Sequence, residues 1–463
     1  MTGLLGQLGT LALGVALAWL ALELLVRWWV QRSLPRDFYG SIARDCARSH
    51  QERTGVRAAT GPGWLHLGWI ADPARERYRI ERRPVADGSR AAWEHVGRAR
   101  TGSFLSREAE PCDYRVWALP RGRGDREPRL VGEIRTEAGP GRAPPLCAPR
   151  IAGPWRTLFR PEVHGSYIND HCIYRDAEGR WRLLGITDKS RGNFDAERFF
   201  AAGVSDDLPP AHGEMREEAP VADFGELAWA PCVLHEDEAG REGWHLFWSP
   251  HRLHQMRSAD GIDWDDHCVT MEAPRHRFFR DPMVLKVAPG QWLLYTTARG
   301  RYYSRVDVYQ SFDLRHWQYI RAALRTTQGS ERNSPFASTE SPTLIQYRRR
   351  FYLALTYNND SFFWPGILML FKIWRDRASY DDTLVLHADN PYDFGCYRGR
   401  RQTPNLVARL EAHAPEFVHH PERDDWHITT AGWPWVATLT SGEVAMAPLV
   451  WDEVSGSQGQ APR

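Results

Sequence analysis

The sequence predicts an all-β fold, a five-bladed β-propeller preceded by a transmembrane helix and a small β-rich region, and three observations predict it. First, five hairpins open near residues 170, 230, 281, 340 and 414, at intervals of roughly sixty residues, the period of four-stranded propeller blades. Second, three of them begin with an acid: Asp170 before His171-Cys172-Ile173-Tyr174, Asp281 before Met283-Val284-Leu285-Lys286-Val287, and Glu340 before Thr343-Leu344-Ile345-Gln346-Tyr347. Third, a turn of pattern S-x-D-x-x-x-W recurs between the hairpins, at Ser258 to Trp264 and Ser311 to Trp317.

In chain order, the stretch Leu8 to Val26 is apolar apart from Glu23, and at about nineteen residues it is long enough to cross a bilayer. No basic region precedes it and Trp28, Trp29 and Arg32 follow it, which favours a retained anchor over residues 1–33 against a cleaved signal peptide. Arg27, Arg32 and Arg36 all flank its C-terminal side, so the positive-inside rule places the propeller in the cytoplasm, with a periplasmic or extracellular propeller as the alternative. Residues 34–150 read as an accessory region: a short helix over 37–51, then isolated strands at Trp64-Leu65-His66-Leu67, Arg77-Tyr78-Arg79-Ile80, Tyr114-Arg115-Val116-Trp117 and Leu130 to Ile134 between Gly-, Pro- and Arg-rich loops. The proline-dense run from Pro144 to Pro154 marks the boundary. The propeller is expected over 151–453 and a disordered tail over 454–463.

Within the propeller each blade's first hairpin is a pair of apolar runs around a polar turn. Trp181 to Ile186 returns from the first across Asp176 to Gly179, Trp244 to Trp248 from the second across Glu236 to Gly240, and Gln291 to Tyr295 from the third across Pro289-Gly290. Phe351 to Leu355 returns in the fourth and Trp426 to Thr429 in the fifth. In the S-x-D-x-x-x-W turns the Ser and Asp accept local backbone donors, and the Trp is expected to pack on the neighbouring blade. Ser205-Asp206-Asp207 is a shortened copy and His387-Ala388-Asp389 a divergent one.

Composition bounds the function. Of 463 residues 42% are apolar and 25% charged, enough to bury a large core, and 21 Trp, 16 Tyr and 18 Phe suit both inter-blade packing and stacking on sugars. Net charge is +1 with no basic stripe interleaved with aromatics, which argues against nucleic acid as a partner. The seven cysteines are odd in number and scattered, with no CxxC or His-Cys spacing, which suits a reducing compartment and argues against a structural zinc.

The five hairpins, the S-x-D-x-x-x-W turns, Asn169-Asp170, Arg280-Asp281-Pro282 and Glu340 together resemble the five-bladed propeller glycoside hydrolases of families 32, 43, 62 and 68, the invertases, levansucrases, arabinanases and arabinofuranosidases. The resemblance covers roughly residues 155 to 450 and implies a glycosidase. It gives Asp170 the nucleophile's role, Asp281 a grip on sugar hydroxyls that stabilises the transition state, Glu340 the role of acid, and Arg280 a sugar contact. The chemistry independently asks for such a set. Glycosidic cleavage passes through an oxocarbenium-like state, which needs one carboxylate facing the anomeric carbon and a protonated one at the leaving oxygen. Burial and mutual repulsion are expected to raise the acid's pKa. His413 and Glu416 at the fifth blade's inner edge, with Asn169, Trp229 and Asn358, complete the expected substrate-lining set; no metal or cofactor is expected. The chain departs from the family 32 pattern in having His171-Cys172 after Asp170 and Ser341 after Glu340, so a furanoside other than sucrose or fructan is equally expected. Glycosyl transfer or phosphorolysis on the same scaffold, and a non-catalytic glycan-binding propeller, are the alternatives.

Overall fold

The computed structural model describes residues 55–454 apart from 72–76, 86–90, 108–110, 121–126, 138–144, 190–195, 212, 273–278, 300–303, 327–337, 359–381, 399–402 and 433–438, together with Gly14, Ala18 and Ala21. Apart from Gly14, Ala18, Ala21 and Val454, the anchor over 1–33, the helix over 37–51 and the tail lie outside these residues. Among the described residues no helix is long and apolar enough to cross a membrane.

The fold is all-β. Five antiparallel sheets follow one another along the chain. The first contains His171–Arg175, Trp181–Thr187, Phe199–Ser205 and Arg216–Glu218; the second contains Trp229–Glu236, Gly243–Ser249, Arg252–Ser258 and Asp265–Glu272. The third orders Arg280–Ala288, Gln291–Arg299, Ser304–Ser311 and Gln318–Thr326, with the short Cys396–Tyr397 added in parallel. The fourth contains Ser338–Tyr347, Arg350–Asn358, Asp382–Ala388 and Leu406–Glu411. The fifth takes Phe417–His420, Asp425–Thr430 and Val444–Glu453 and borrows its outer strand, Cys147–Ile151, from before the first sheet, with Leu449 opposite Ile151 and Glu453 opposite Cys147. This corrects the boundary expected at 151. Proline density hid a strand whose partner lies some three hundred residues on, and pairing that distant leaves no local pattern to read.

Each sheet is covered on both faces, so its middle strands are buried along most of their length instead of alternating. Trp181–Thr187 is buried at every position. Consecutive residues divide between neighbours: Leu293 packs with Leu353 and Leu384 of the fourth sheet, Leu294 with Phe247 and Leu253 of the second. Similar clusters join the first sheet to the second through Leu184, Phe200, Leu246 and Trp248, and the fourth to the fifth through Tyr352, Val385, Ile428 and Leu449. A last cluster, Leu183 and Ala201 with Val418, Val444 and Met446, joins the fifth back to the first. Each fully buried aliphatic in these seams contributes on the order of 1.5–3 kcal/mol. The S-x-D-x-x-x-W turns sit at the seams: the Asp260 and Asp313 carboxylates accept backbone N–H groups of Ile262 and Arg315 at 2.8 and 2.9 Å. The indole of Trp317 meets Phe247 edge-on, and that of Trp264 meets Tyr174, each across to the preceding sheet.

The strands expected between 64 and 134 are present and are not isolated. They form a three-stranded sheet (Val56–Gly61, Trp64–Trp69, Ser103–Ser106) and a four-stranded one (Glu94–Ala99, Arg77–Pro84, Cys112–Leu119, Arg129–Thr136) over a common core of Leu67, Trp69, Tyr78, Ile80, Tyr114 and Val116. This unit rests on the third sheet. The Gln310 amide donates to the carbonyls of Trp69 and Gly102 at 3.1 and 2.7 Å, and the Ala71 N–H donates to the Gln318 side chain at 2.9 Å. His66 stacks on Tyr392 with ring centres 3.9 Å apart, and burial drives its pKa down to about 3, so it stays neutral in the joint.

Candidate active site

Four sheets carry the same three-residue device at or near the start of their first strand: Trp229-Ala230-Pro231, Arg280-Asp281-Pro282, Glu340-Ser341-Pro342 and His413-Ala414-Pro415. The central residue of each is left-handed, with φ of 50°, 57°, 50° and 46°, at a cost of roughly 1–2 kcal/mol for a residue with a Cβ. In the second, third and fourth sheets a register slip follows immediately, between Trp229 and Cys232, Arg280 and Met283, and Glu340 and Thr343. A bulge of this kind turns a side chain out of the pleat and re-aims it. In the first sheet Asn169-Asp170-His171 holds the matching place, with His171 where the others have proline.

The repeat sorts the expected residues into tiers. Asn169, Trp229, Arg280, Glu340 and His413 occupy its first position; Asp170, Ala230, Asp281, Ser341 and Ala414 its second; Glu416 stands two residues beyond the second. Asn358 alone falls elsewhere, closing the strand Arg350–Asn358 opposite Ser338.

The three acids expected to act together are joined through two bridging residues. The Ser341 hydroxyl donates to Asp170 Oδ1, while the Ser341 N–H donates to Asp281 Oδ2 at 3.0 Å. Arg280 Nη2 donates to Glu340 Oε1 at 2.6 Å, and its Nε lies 3.7 Å from Asp281 Oδ2. Asn169 Nδ2 reaches Asp170 Oδ2 at 3.2 Å, and the Ser249 hydroxyl accepts the Asp281 N–H at 3.1 Å. All three carboxylates are buried, at 7, 3 and 8% exposure for Asp170, Asp281 and Glu340. His413 completes the cluster: its Nδ1 donates to the Ala431 carbonyl at 2.6 Å and its Nε2 faces Glu340 Oε2 at 3.9 Å. Behind Asp170, His171 Nε2 meets the Thr429 hydroxyl at 2.8 Å, and the same oxygen accepts the Glu416 N–H at 2.9 Å. Trp229 is half-buried and packs in the seam between the first and second sheets.

Charge divides these acids unevenly. Burial pushes Asp170 above the usual carboxylate range against the pull of His413, Ser341 and Arg280. It pushes Asp281 up to about 6, against Arg280, and Glu416 up to about 8, helped by the charge of Asp170. Glu340, to which the resemblance gives the acid's role, goes the other way. Burial would raise it as well, but Arg280 and His413 outweigh burial and hold it well below the ordinary range. His413 is desolvated, which disfavours its charge, yet Glu340 and Asp170 hold it above its ordinary value. The free site therefore holds Glu340 ionised between the Arg280 guanidinium and the His413 ring, whose charged form the two carboxylates favour.

Sequence reasoning missed the connectors Ser341, Ser249 and Thr429. The repeated triplet ending in proline was the available signal for Ser341; the other two sit on second strands and have none. Among the described residues no group of three His, Cys, Asp or Glu is arranged to hold a metal ion.

The family described as "Glycosyl hydrolases family 32 N-terminal domain" matches residues 250–384, less than a third of the chain. The match spans the Arg280-Asp281-Pro282 and Glu340 triplets and leaves Asp170 outside it. No curated protein matches the chain. Similar solved structures include a Bombyx mori β-fructofuranosidase of family 32, at 12% identity and a TM-score of 0.45 over 66% of this chain and 64% of that one. The α-L-arabinofuranosidase PaAbf62A of Podospora anserina is 13% identical with a TM-score of 0.44, over 66% of this chain and 98% of that one. The fructan 1-exohydrolase IIa of Cichorium intybus is 11% identical with a TM-score of 0.42, over 65% and 61%. This chain thus spans under two thirds of the length of the Bombyx protein.

Proposed function

We propose that the protein is a glycoside hydrolase that cleaves a furanoside-type glycan at the axis of a five-bladed propeller, the five sheets being its blades. The closed succession of seams supports the blade count, since each sheet shares a cluster with the next and the fifth with the first. The observation that carries the activity is the linkage of Asp170, Asp281 and Glu340 through Ser341 and Arg280, at the openings of three inner strands far apart in sequence. In this reading Asp170 attacks the anomeric carbon, Asp281 and Arg280 hold sugar hydroxyls and stabilise the oxocarbenium-like state, and Glu340 delivers a proton to the leaving oxygen.

The test is hydrolysis of a panel of aryl furanosides and pyranosides, with and without an acceptor sugar or phosphate. The expected result is turnover of at least one furanoside, lost in Asp170→Asn and reduced in Glu340→Gln. Turnover of none, with folded protein, would overturn the reading. We also propose that residues 1–33 anchor the chain in a membrane, which a reporter fused at the C-terminus would test by its sidedness.

A further inference from the structure

A general acid has to hold the proton it gives away, and Glu340 in the free site does not hold one. Its Oε1 is taken by Arg280 at 2.6 Å, and guanidinium is not deprotonated in proteins. The other oxygen, Oε2, faces the titratable donor His413 Nε2 at 3.9 Å. The tautomer of that ring is fixed by its surroundings: a carbonyl only accepts, so the bond of 2.6 Å to Ala431 requires the proton on Nδ1. Any second proton on the ring therefore sits on Nε2, aimed at Glu340. The ring itself is fully buried, and its backbone is pinned where the His413 N–H meets the Thr430 hydroxyl at 2.9 Å and the Ala414 N–H meets Thr356 Oγ1 at 2.8 Å.

We propose that His413 stores the proton that Glu340 delivers, passing it from Nε2 to Glu340 Oε2 when substrate binds and acting on the reaction only through Glu340. The inference rests on the glycosidase reading above. Among the described residues, the charged and titratable groups facing the ring are Glu340, Asp170 and His171, with Arg280 beyond Glu340. Burial and the neighbouring charge hold His171 low, at about 4, so it is neutral and does not compete. The two carboxylates hold His413 above its ordinary value, which favours its charged form in the resting site. The steps balance. The Nε2–H bond breaks and an O–H bond forms on Glu340, which leaves a neutral pair. As the glycosidic C–O bond breaks, that proton passes to the leaving oxygen and Asp170 bonds to the anomeric carbon. Water then displaces Asp170 from that carbon and gives up one proton, which Glu340 takes and returns to His413 Nε2. The gap of 3.9 Å has to close to about 2.8 Å for transfer, and catalytic hydrogen bonds are commonly long in the free enzyme.

The experiment compares wild type, His413→Gln and Glu340→Gln on aryl glycosides of the sugar found active in the panel, from phenyl to dinitrophenyl leaving groups. A dinitrophenolate leaves without protonation, whereas phenolate needs it. His413→Gln is expected to lose about 10²-fold in kcat/KM on the phenyl glycoside and under about 3-fold on the dinitrophenyl one, the range set by general acid catalysis. Equal loss across the series would mean that His413 only supports the fold, and would overturn the proposal while leaving the glycosidase reading intact. Wild type inactive on the whole panel would instead overturn that reading, and the proposal with it. A second readout needs no turnover: the His413 imidazole, followed by NMR, is expected to fall by at least about one pKa unit in Glu340→Gln, as loss of a close opposite charge demands. An unchanged titration would refute the pairing.

Discussion

Ser341 offers a direct test of the linked acids, because its two bonds go to different carboxylates through different atoms. The hydroxyl donates to Asp170 and the backbone N–H to Asp281, so Ser341→Ala removes the first and keeps the second. A hydrogen bond to a charged group is worth about 1.5–3 kcal/mol, and one pKa unit is about 1.4 kcal/mol. The Ser341 bond favours the carboxylate and so lowers the Asp170 pKa; burial has already raised it above the usual range. Losing the bond therefore moves it further up, by about one to two units. In its proposed role of nucleophile Asp170 has to be ionised, so the acid limb of kcat/KM, which reports the free enzyme, is expected to shift to higher pH by that amount. Activity below the limb falls about 10- to 100-fold, and activity well above it changes little. Ser341→Thr, which keeps a hydroxyl, is expected to restore the wild-type limb. The assay is kcat/KM against pH on the best aryl glycoside, fitted to macroscopic values because the acids interact. An unshifted limb in Ser341→Ala, or a Thr variant no better than Ala, would refute the electrostatic link.

Two further predictions concern the scaffold and its pH dependence. Glu236 is buried and accepts Lys286 Nζ at 2.5 Å, Trp292 Nε1 at 2.7 Å and two backbone N–H groups at 3.0 Å, tying the second sheet to the third; Glu236→Ala is expected to cost about 2–4 kcal/mol, read as a lower urea midpoint. Burial raises Glu416 to about 8 from 4.5, so the folded chain binds that proton more tightly than the unfolded one; its stabilising contribution is present below pH 4.5 and is lost as pH rises toward 8. Glu416→Gln is expected to flatten that decline, and thermal melts between those limits would show it. An equally steep decline in the variant would remove Glu416 from the account.

What could be read in advance divides along the range of the interactions involved. The first hairpin of each sheet was legible because its two strands are neighbours in sequence, with a polar turn between apolar runs, as in His171–Arg175 and Trp181–Thr187. The strand Cys147–Ile151 was not, since its partner is Val444–Glu453 and its prolines imitate a linker. The same limit governs the site. The acids announce themselves as carboxylates opening strands, and the triplets ending in proline fix their place, but which acid is protonated depends on charges contributed by other sheets. Arg280 adjoins Asp281 in sequence, yet its shortest bond is to Glu340 on the next sheet. That contact, together with His413 from the sheet beyond, reverses the effect that burial alone would have on Glu340. Of the two groups that hold Glu340 ionised, Arg280 keeps its proton and the imidazole of His413 is able to yield one, which is why the proposed donor role of Glu340 is tied to His413.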